Sequence, residues 1–251
     1  MHTRRVTWAV ATGFAVLAAG LYSPAAPAAE TRGDGPTVIE RRVIGYSVRD
    51  RPIRAYRLGE RDARWTVVAI GAMHGDERKS NRPLEHLRDH QPVSGVNLWV
   101  VPILNPDGWH RGIRKNARGV DLNRNFPVKW RDLDGPYESG PRPKSEPETR
   151  AIMRFLGNVR PDRMISLHQP LFKVDAKSSK NPRFSRRVAR NMRIPIGNVD
   201  CGGVCHGTMT QWFNKRTRGA SITVELAAHP SEHYVTKVGP NGLLRAVYGE
   251  R

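Results

Sequence analysis

The chain has 251 residues, and its 42 lysines and arginines outnumber its 23 acidic residues to give a formal net charge of +19. A chain of this length suits one large domain with its own hydrophobic core better than two domains. The basic residues are spread along the sequence rather than gathered in a reading helix or an aromatic platform, so we expect no specific nucleic-acid binding. The charge favours an anionic partner outside the cell, such as a cell-wall polymer, or it reflects only solvated charged faces.

Residues 1–29 have the pattern of an export signal. Arg4 and Arg5 precede an apolar run at residues 6–21, and Ala26-Pro27-Ala28 fits an A-x-A cleavage site. The run is too short and too poorly flanked for a membrane span, although an uncleaved N-terminal anchor is the alternative. We therefore predict a signal peptide over residues 1–29, a single domain over 30–251 with no stable membrane span, and secretion to the medium, the periplasm or the cell wall.

Four apolar, β-branched runs predict buried strands, and a hairpin precedes them. The hairpin covers residues 37–58 and turns at Asp50-Arg51-Pro52. A long region rich in Gly, Pro, Asn and Arg covers residues 109–147, and loops of that length inside a compact domain are usually functional or disordered. The four strands are predicted at residues 65–70, 96–104, 163–167 and 220–226.

Helices are expected between these strands. Ser145 is predicted to cap a helix that ends near Leu156. Pro83 conflicts with the helix expected after Glu77, so that helix is either kinked or regular only from about Asn81. Further helices are expected at residues 184–192 and beyond Pro230. The alternation predicts a single α/β domain with a central mixed, mostly parallel twisted sheet flanked by helices.

Side chains that bind metals come at the ends of the predicted strands. His74-Gly-Asp-Glu77 follows a buried strand, and its spacing lets one turn bring the imidazole and the carboxylate to one face. His168 ends another strand, and Glu225 lies near the end of the last. Because such sheets bind ligands outside the carboxyl ends of their strands, we expect these groups to meet. A catalytic zinc ion needs three protein ligands and one open position, and His168 is the natural third ligand.

Cys201 and Cys205 are separated only by Gly-Gly-Val. In an exported chain an even, closely spaced pair predicts a disulfide that closes a tight loop. A two-cysteine metal site would need further soft ligands, and the sequence has no third cysteine.

The motifs taken together resemble those of a known family. Residues 114–127 read RKNARGVDLNRNFP, and HGDE, SEPET, SLH and TVEL stand in matching order around them. This pattern closely resembles the zinc carboxypeptidases, the carboxypeptidase A-like metallopeptidases, over about residues 40–245. Within this family, the motifs resemble those of a compact bacterial subgroup resembling murein peptide amidase A. The resemblance implies one zinc ion per chain and hydrolysis of an amide bond next to a free carboxylate, with peptidoglycan stem peptides as the expected substrate.

The resemblance also implies a metal-binding role for four residues. His74 and Glu77 match the family's first two zinc ligands, and His168 matches the third. Asp121 matches a carboxylate that orients His74, the usual partner of a metal-bound histidine.

Four further residues match the family's catalytic and substrate-binding positions. Arg114 matches the arginine that stabilises the developing oxyanion. Asn123 and Arg124 match the pair that clamps the terminal carboxylate of the substrate. Glu225 matches the general base that takes a proton from the water and returns it to the leaving amine.

One part of the family pattern is missing. Many members carry a mobile tyrosine over the substrate, whereas residues 201–207 contain none, and His206 is either a replacement donor or a surface histidine. Thr208, Met209 and Thr210 are expected in the specificity pocket by resemblance. They include no acid and no second arginine, so the side-chain preference stays open.

Two other functions fit part of the pattern. Deacylases of N-acyl amino acids share HxxE and NR-type motifs, although the SEPET helix start and the spacing to His168 favour a peptidase. A non-catalytic basic module that binds wall polymers would have lost a metal ligand or Glu225, and none is missing.

Overall fold

The structure is a computed structural model that describes residues 37–90, 92–176, 179–199 and 201–251. The predicted signal peptide at residues 1–29 lies outside these ranges. In the part of the chain that is described, no helix is both long enough and apolar enough to cross a membrane.

One sheet and six helices make up the described domain. The strands are β1 (Glu40–Tyr46), β2 (Pro52–Gly59), β3 (Thr66–Ile70), β4 (Asn97–Val101), β5 (Arg163–His168), β6 (Leu171–Asp175), β7 (Ile196–Gly197) and β8 (Ala220–Ala227). The helices are α1 (Arg82–Asp89), α2 (Pro106–Arg111), α3 (Pro147–Val159), α4 (Pro182–Met192), α5 (Met209–Arg216) and α6 (Gly239–Ala246). Short helical turns lie at Leu122–Arg124, Gly135–Tyr137 and Tyr234–Val238.

The eight strands form a mixed sheet in the order β1-β2-β4-β3-β5-β8-β6-β7. Its centre is parallel, because β3 pairs in parallel with β4 and β5, and β5 pairs in parallel with β8. The β1–β2 hairpin adds antiparallel pairing on one side, and β6 runs antiparallel to β8 on the other. The predicted α/β fold, the hairpin and all four buried strands are confirmed.

Helices bury both faces of this sheet. Val67 and Ala69 of β3 belong to a core with residues of α1, α4 and α6, whereas Val68 and Ile70 pack into a second core with residues of α3 and α5. Successive residues of a strand point to opposite faces, so a strand covered on both sides needs apolar residues at every position. This requirement explains why β3 reads as a continuous apolar run.

Two helix starts can be compared with the sequence prediction. Helix α1 begins at Arg82, so Pro83 lies in the first turn, where a missing N–H is harmless and no kink is needed. The predicted cap of α3 is wrong, because its N-cap position is held by Glu146. The Ser145 hydroxyl instead accepts a hydrogen bond from Asn125 and donates one to the Glu146 carboxylate, both at 2.8 Å.

Candidate metal centre

Three parallel strands deliver the candidate site residues to one edge of the sheet. His74 follows β3, and His168 is the last residue of β5. Glu225 lies in β8 directly opposite His168 in the strand register. The carboxyl ends of these strands therefore meet where open α/β sheets bind their ligands.

The loop that carries His74 and Glu77 is fixed by its own hydrogen bonds. The Ser80 hydroxyl accepts a hydrogen bond from the Ala72 amide at 3.0 Å and donates one to the Glu77 carbonyl at 2.8 Å. Gly75 is required between the two ligands, since a Cβ there would come within 1.9 Å of the Gly108 backbone. Close packing against α2 thus sets the loop's shape.

The three predicted metal ligands converge. His74, Glu77 and His168 offer ligand atoms that all lie within 4.8 Å of one another, and all three side chains are buried. One Glu77 oxygen lies 2.6 Å from His74 Nδ1, and the other lies 3.0 Å from His168 Nδ1. We refer to these three residues as the ligand cluster.

Outer partners hold both imidazole rings with Nδ1 turned inwards. His74 Nε2 lies 2.9 Å from an Asp121 oxygen, and His168 Nε2 lies 2.9 Å from the Ser166 hydroxyl. Fixing the outer nitrogen sets the tautomer and the orientation of a metal-binding histidine. Asp121 therefore lies where its predicted role requires, and Ser166 is a partner that the sequence prediction did not include.

The charges in the cluster favour a cation. Burial alone would lower the pKa of His74, but the carboxylates of Glu77 and Asp121 outweigh it and raise that pKa to about 9. Burial would raise the pKa of Glu77, yet His74 and His168 lower it to about 2. The pKa of Asp121 lies well below its usual range, because His74 and Arg114 overcome the effect of burial. Two ionised carboxylates in a buried pocket attract positive charge, here that of protonated His74 or of a metal ion.

The donor set fits zinc. Two imidazole nitrogens and one carboxylate form the three-ligand set that catalytic zinc sites take, with a further position left for water or substrate. On its accessible side the cluster borders a cavity of about 240 Å³. The predicted arginines, Asn123 and Glu225 line the same cavity.

Arg114 connects the cavity to the ligand cluster. Its guanidinium donates to Asp121 through Nε at 3.0 Å and lies 2.8 Å from the same carboxylate through Nη2. Its Nη1 lies 3.9 Å from Glu77. One edge of the guanidinium is thus held by Asp121, and the group is aimed at the metal centre.

Asn123 and Arg124 present donors to the cavity. The Asn123 side-chain oxygen accepts a hydrogen bond from the Met209 amide at 3.0 Å, which leaves its NH₂ group as the donor side. Arg124 donates from Nη1 to the Asn123 carbonyl at 2.9 Å, while its buried Nε has no partner in the described structure. An unpaired buried donor calls for an acceptor, and a carboxylate from a ligand would supply one.

Glu225 is a buried carboxylate with spare acceptor capacity. Its side chain lines the cavity, and its Oε2 has no hydrogen-bond partner among the described residues. Burial raises the pKa of Glu225, with His168 opposing the shift and Glu77 adding to it. A carboxylate beside a metal centre with a raised pKa is suited to accept and return a proton.

Tyr137 is a site residue that the sequence prediction missed. Its ring lies 5.5 Å from the Arg114 guanidinium and 5.0 Å from that of Arg124, and it lines the cavity. The signal that could have found it is its place in the long loop at residues 109–147, where it is the one tyrosine.

The specificity pocket differs in part from the prediction. Thr208 and Thr210 line the cavity, but Met209 is fully buried in the core and does not. Asp175 also lines the cavity, so the pocket does contain an acidic side chain. His206 lines a neighbouring cavity on the other side of the Cys201–Cys205 pair and does not line this one, which argues against it as a replacement for the missing tyrosine.

Cys201 and Cys205 form the predicted disulfide, and both line the cavity that borders the ligand cluster. The tight loop between them therefore borders the ligand cluster's cavity rather than a remote surface.

Comparison with known proteins agrees with this geometry. A family model described as "Zinc carboxypeptidase" matches residues 28–238. The chain belongs to the zinc carboxypeptidase family. Murein peptide amidase A of Escherichia coli K12 is 36% identical over 148 residues, which cover 53% of this chain and 60% of that protein. The chain thus matches about three fifths of the length of this relative.

Three further matches extend the comparison. Murein peptide amidase A of Vibrio campbellii is 28% identical over 205 residues, covering 76% of this chain and 79% of that protein. The crystal structure of murein-tripeptide amidase from Escherichia coli O157 aligns with a TM-score of 0.68 and 26% identity, over 88% of this chain and 94% of that one. The crystal structure of carboxypeptidase A from Helicoverpa armigera aligns with a TM-score of 0.70 and 18% identity, over 85% of this chain and 69% of that one. This match shows a shared fold.

We expect Asp121→Asn to weaken zinc binding about 10- to 100-fold, because the amide no longer fixes the His74 tautomer. Competition with a chromogenic chelator measures the affinity, and circular dichroism checks the fold. Asp132→Asn removes an exposed carboxylate from the same loop and serves as the control. Wild-type zinc affinity in Asp121→Asn would show that Asp121 does not orient the ligand.

Proposed function

We propose that this protein is a secreted zinc-dependent carboxypeptidase or peptide amidase that hydrolyses an amide bond next to a free carboxylate. The observation that carries the proposal is the ligand cluster itself, which lines one cavity together with Glu225, Asn123 and Arg124. Membership of the zinc carboxypeptidase family supports the same activity.

His74, Glu77 and His168 would hold one Zn²⁺ ion per chain. When bound, zinc supplies a Lewis acid that makes a water molecule more acidic and polarises the scissile carbonyl. The protein's part is to keep both Nδ1 atoms and the Glu77 carboxylate converged, which the outer contacts to Asp121 and Ser166 do.

Glu225 would act as the general base and then as the general acid. Its side chain lines the cavity next to His168, and its Oε2 has no hydrogen-bond partner among the described residues. It would take a proton from the attacking water and deliver it to the nitrogen of the leaving amine. Burial helps this cycle, because a raised pKa makes the carboxylate a better proton acceptor.

Arg114 would stabilise the negative charge that develops on the carbonyl oxygen. Its Nε and Nη2 are held by Asp121, so the guanidinium is already oriented before substrate binds. Donors fixed in advance stabilise a transition state without reorganisation at the moment of reaction.

Asn123 and Arg124 would bind the substrate's free carboxylate. Both residues line the cavity, where Arg124 Nε has no partner among the described residues and the NH₂ group of Asn123 is a donor. A guanidinium binds a carboxylate through two parallel hydrogen bonds, which fixes the substrate's direction. This clamp places the scissile amide next to the metal centre.

Peptidoglycan stem peptides are the substrate that we favour. The support is similarity to three proteins named as murein peptide or tripeptide amidases. Asp175 in the cavity wall would suit a substrate residue that carries an amino group, as diaminopimelate does. Export, for which residues 1–29 and the disulfide are the support, would bring the enzyme to such peptides.

Replacing Glu225 by Gln tests the mechanism. We expect kcat on a γ-linked diaminopimelate peptide to fall about 10²- to 10⁴-fold, because the amide cannot take the proton, while zinc affinity is retained. Glu85→Gln, a change in α1 at a residue that does not line the cavity, is the control. Undiminished hydrolysis by Glu225→Gln would refute the role of Glu225. Preferential hydrolysis of N-acetyl-aspartate by the wild-type protein would identify the deacylase instead.

Replacing Tyr137 separates its ring from its hydroxyl. We expect Tyr137→Ala to raise KM about 5- to 30-fold, because the ring no longer holds the guanidiniums of Arg114 and Arg124 over the cavity. Tyr137→Phe keeps the ring and should behave like the wild type. Steady-state kinetics on the same peptide measure both variants, and an equal defect in the two would show that the hydroxyl contacts the substrate.

A further inference from the structure

A second and larger cavity, of about 750 Å³, lies at the amino-terminal ends of the central strands, whereas the ligand cluster lies at their carboxyl-terminal ends. Its walls include Trp65, just before β3, and Arg163, the first residue of β5. His168 is the last residue of β5, so Arg163 and His168 are about 17 Å apart along the strand. Helix α4 supplies half of the remaining lining residues.

Four arginines form a stripe on α4. Arg183, Arg186, Arg187 and Arg190 follow the i, i+3, i+4, i+7 spacing that puts side chains on one helical face, and all four line the cavity. The helix contains no acidic residue. Like charges at these spacings destabilise a helix, so the stripe opposes folding unless an anion binds it.

Acidic partners are absent from this wall. The residues lining the cavity include no carboxylate, and none of its five arginines forms an ion pair within the described ranges. Some arginines elsewhere in the described chain are paired, such as Arg51 with Asp107 and Arg82 with Glu232, whereas exposed ones such as Arg41 form no ion pair either. What distinguishes this wall is that five arginines without an ion pair line one cavity.

A neighbouring cavity of about 620 Å³ continues the same surface. It shares Arg163 with the first and adds Arg160, Arg216 and Arg218. Its one lining carboxylate, Asp162, accepts a hydrogen bond from the Thr66 amide. We call the arginine-lined walls of the two cavities the arginine surface.

Lys180 lies between the two cavities. Its ammonium donates to the Thr217 carbonyl at 2.7 Å, and Thr217 lines the smaller cavity, while the next residue, Asn181, lines the larger one. Burial, and then the nearby Arg163, lower the pKa of Lys180. Repulsion between Lys180 and Arg163 is expected on a positive surface that has few acidic partners.

Trp65 and Tyr248 on this surface contact each other and neighbouring arginines, although Tyr248 remains 51% exposed. Trp65 and Tyr248 stack on each other at 5.8 Å, Arg163 lies 5.0 Å from the Trp65 ring, and the Arg187 guanidinium lies 3.8 Å from the Tyr248 ring. These contacts orient the guanidiniums, and a base that stacked on Tyr248 would have to compete with Arg187 or Trp65 for the ring. The surface therefore favours a ligand that binds through its anionic groups alone.

We propose that the arginine surface binds the phosphate groups of an anionic polymer without nucleobases, and that it holds the enzyme by the edge opposite its catalytic cavity. The planar fork of arginine donates two parallel hydrogen bonds to a phosphate group, and because it can do the same to a carboxylate, a polycarboxylate is one arm of the test below. A polymer bound here leaves the ligand cluster accessible to peptides. The inference does not depend on the proposed hydrolysis.

Binding of labelled polymers to the full zinc-loaded protein tests the proposal. The probes are inorganic polyphosphate and poly(glycerol phosphate), with poly-glutamate and single-stranded poly-thymidylate of matched charge as the other arms. The triple variant Arg183→Gln, Arg186→Gln, Arg190→Gln changes exposed side chains of α4 only. The control triple Arg41→Gln, Arg49→Gln, Arg54→Gln removes equal charge from exposed positions of the β1–β2 hairpin.

We expect the α4 triple to bind both phosphate polymers about tenfold more weakly, with a log K against log salt slope shallower by about 2, since three phosphate contacts are lost. The hairpin triple should bind nearly as the wild type, and peptide hydrolysis should be unchanged in both. The tighter of the two phosphate polymers identifies the source of the phosphate. Equal losses in the two triples, equally tight binding of poly-glutamate, or tighter binding of poly-thymidylate would each overturn the proposal.

Discussion

Two carboxylates buried beside two imidazoles are the constraint around which the catalytic edge is built. Glu77 is 6% exposed and Asp121 is fully buried, and an ionised carboxylate in such a place is costly unless it is paired. Each is met by more than one partner: Glu77 by both histidines, and Asp121 by His74 and Arg114. Loss of any member would leave a buried charge without compensation, so these residues form one unit.

This unit also joins binding to chemistry. Contacts run from Arg114 through Asp121 and His74 to Glu77, and then to His168. The residue proposed to stabilise the oxyanion is thus held by the same carboxylate that orients a metal ligand. Coupled polar networks respond as a whole, so a change at Asp121 should affect both metal binding and transition-state stabilisation.

The sequence predicted those parts of the site that depend on local sequence patterns. Strands buried on both faces read as apolar runs, and His74, His168 and Glu225 follow from their positions at strand ends. Strand β6 was missed because its first three residues are exposed and lack the buried pattern. Tyr137 and Asp175 were missed for a different reason: only long-range packing brings them to the cavity. Met209 was wrongly predicted to line the pocket. It is the first residue of α5, and the pattern of a helix start does not determine which side chains are buried in the core.

Diffraction data collected at the zinc absorption edge, from crystals of the zinc-loaded protein, test the central claim most directly. The account predicts one anomalous peak about 2.0–2.2 Å from His74 Nδ1, His168 Nδ1 and a Glu77 oxygen. A zinc peak held by other residues, or no peak between these three side chains, would contradict it.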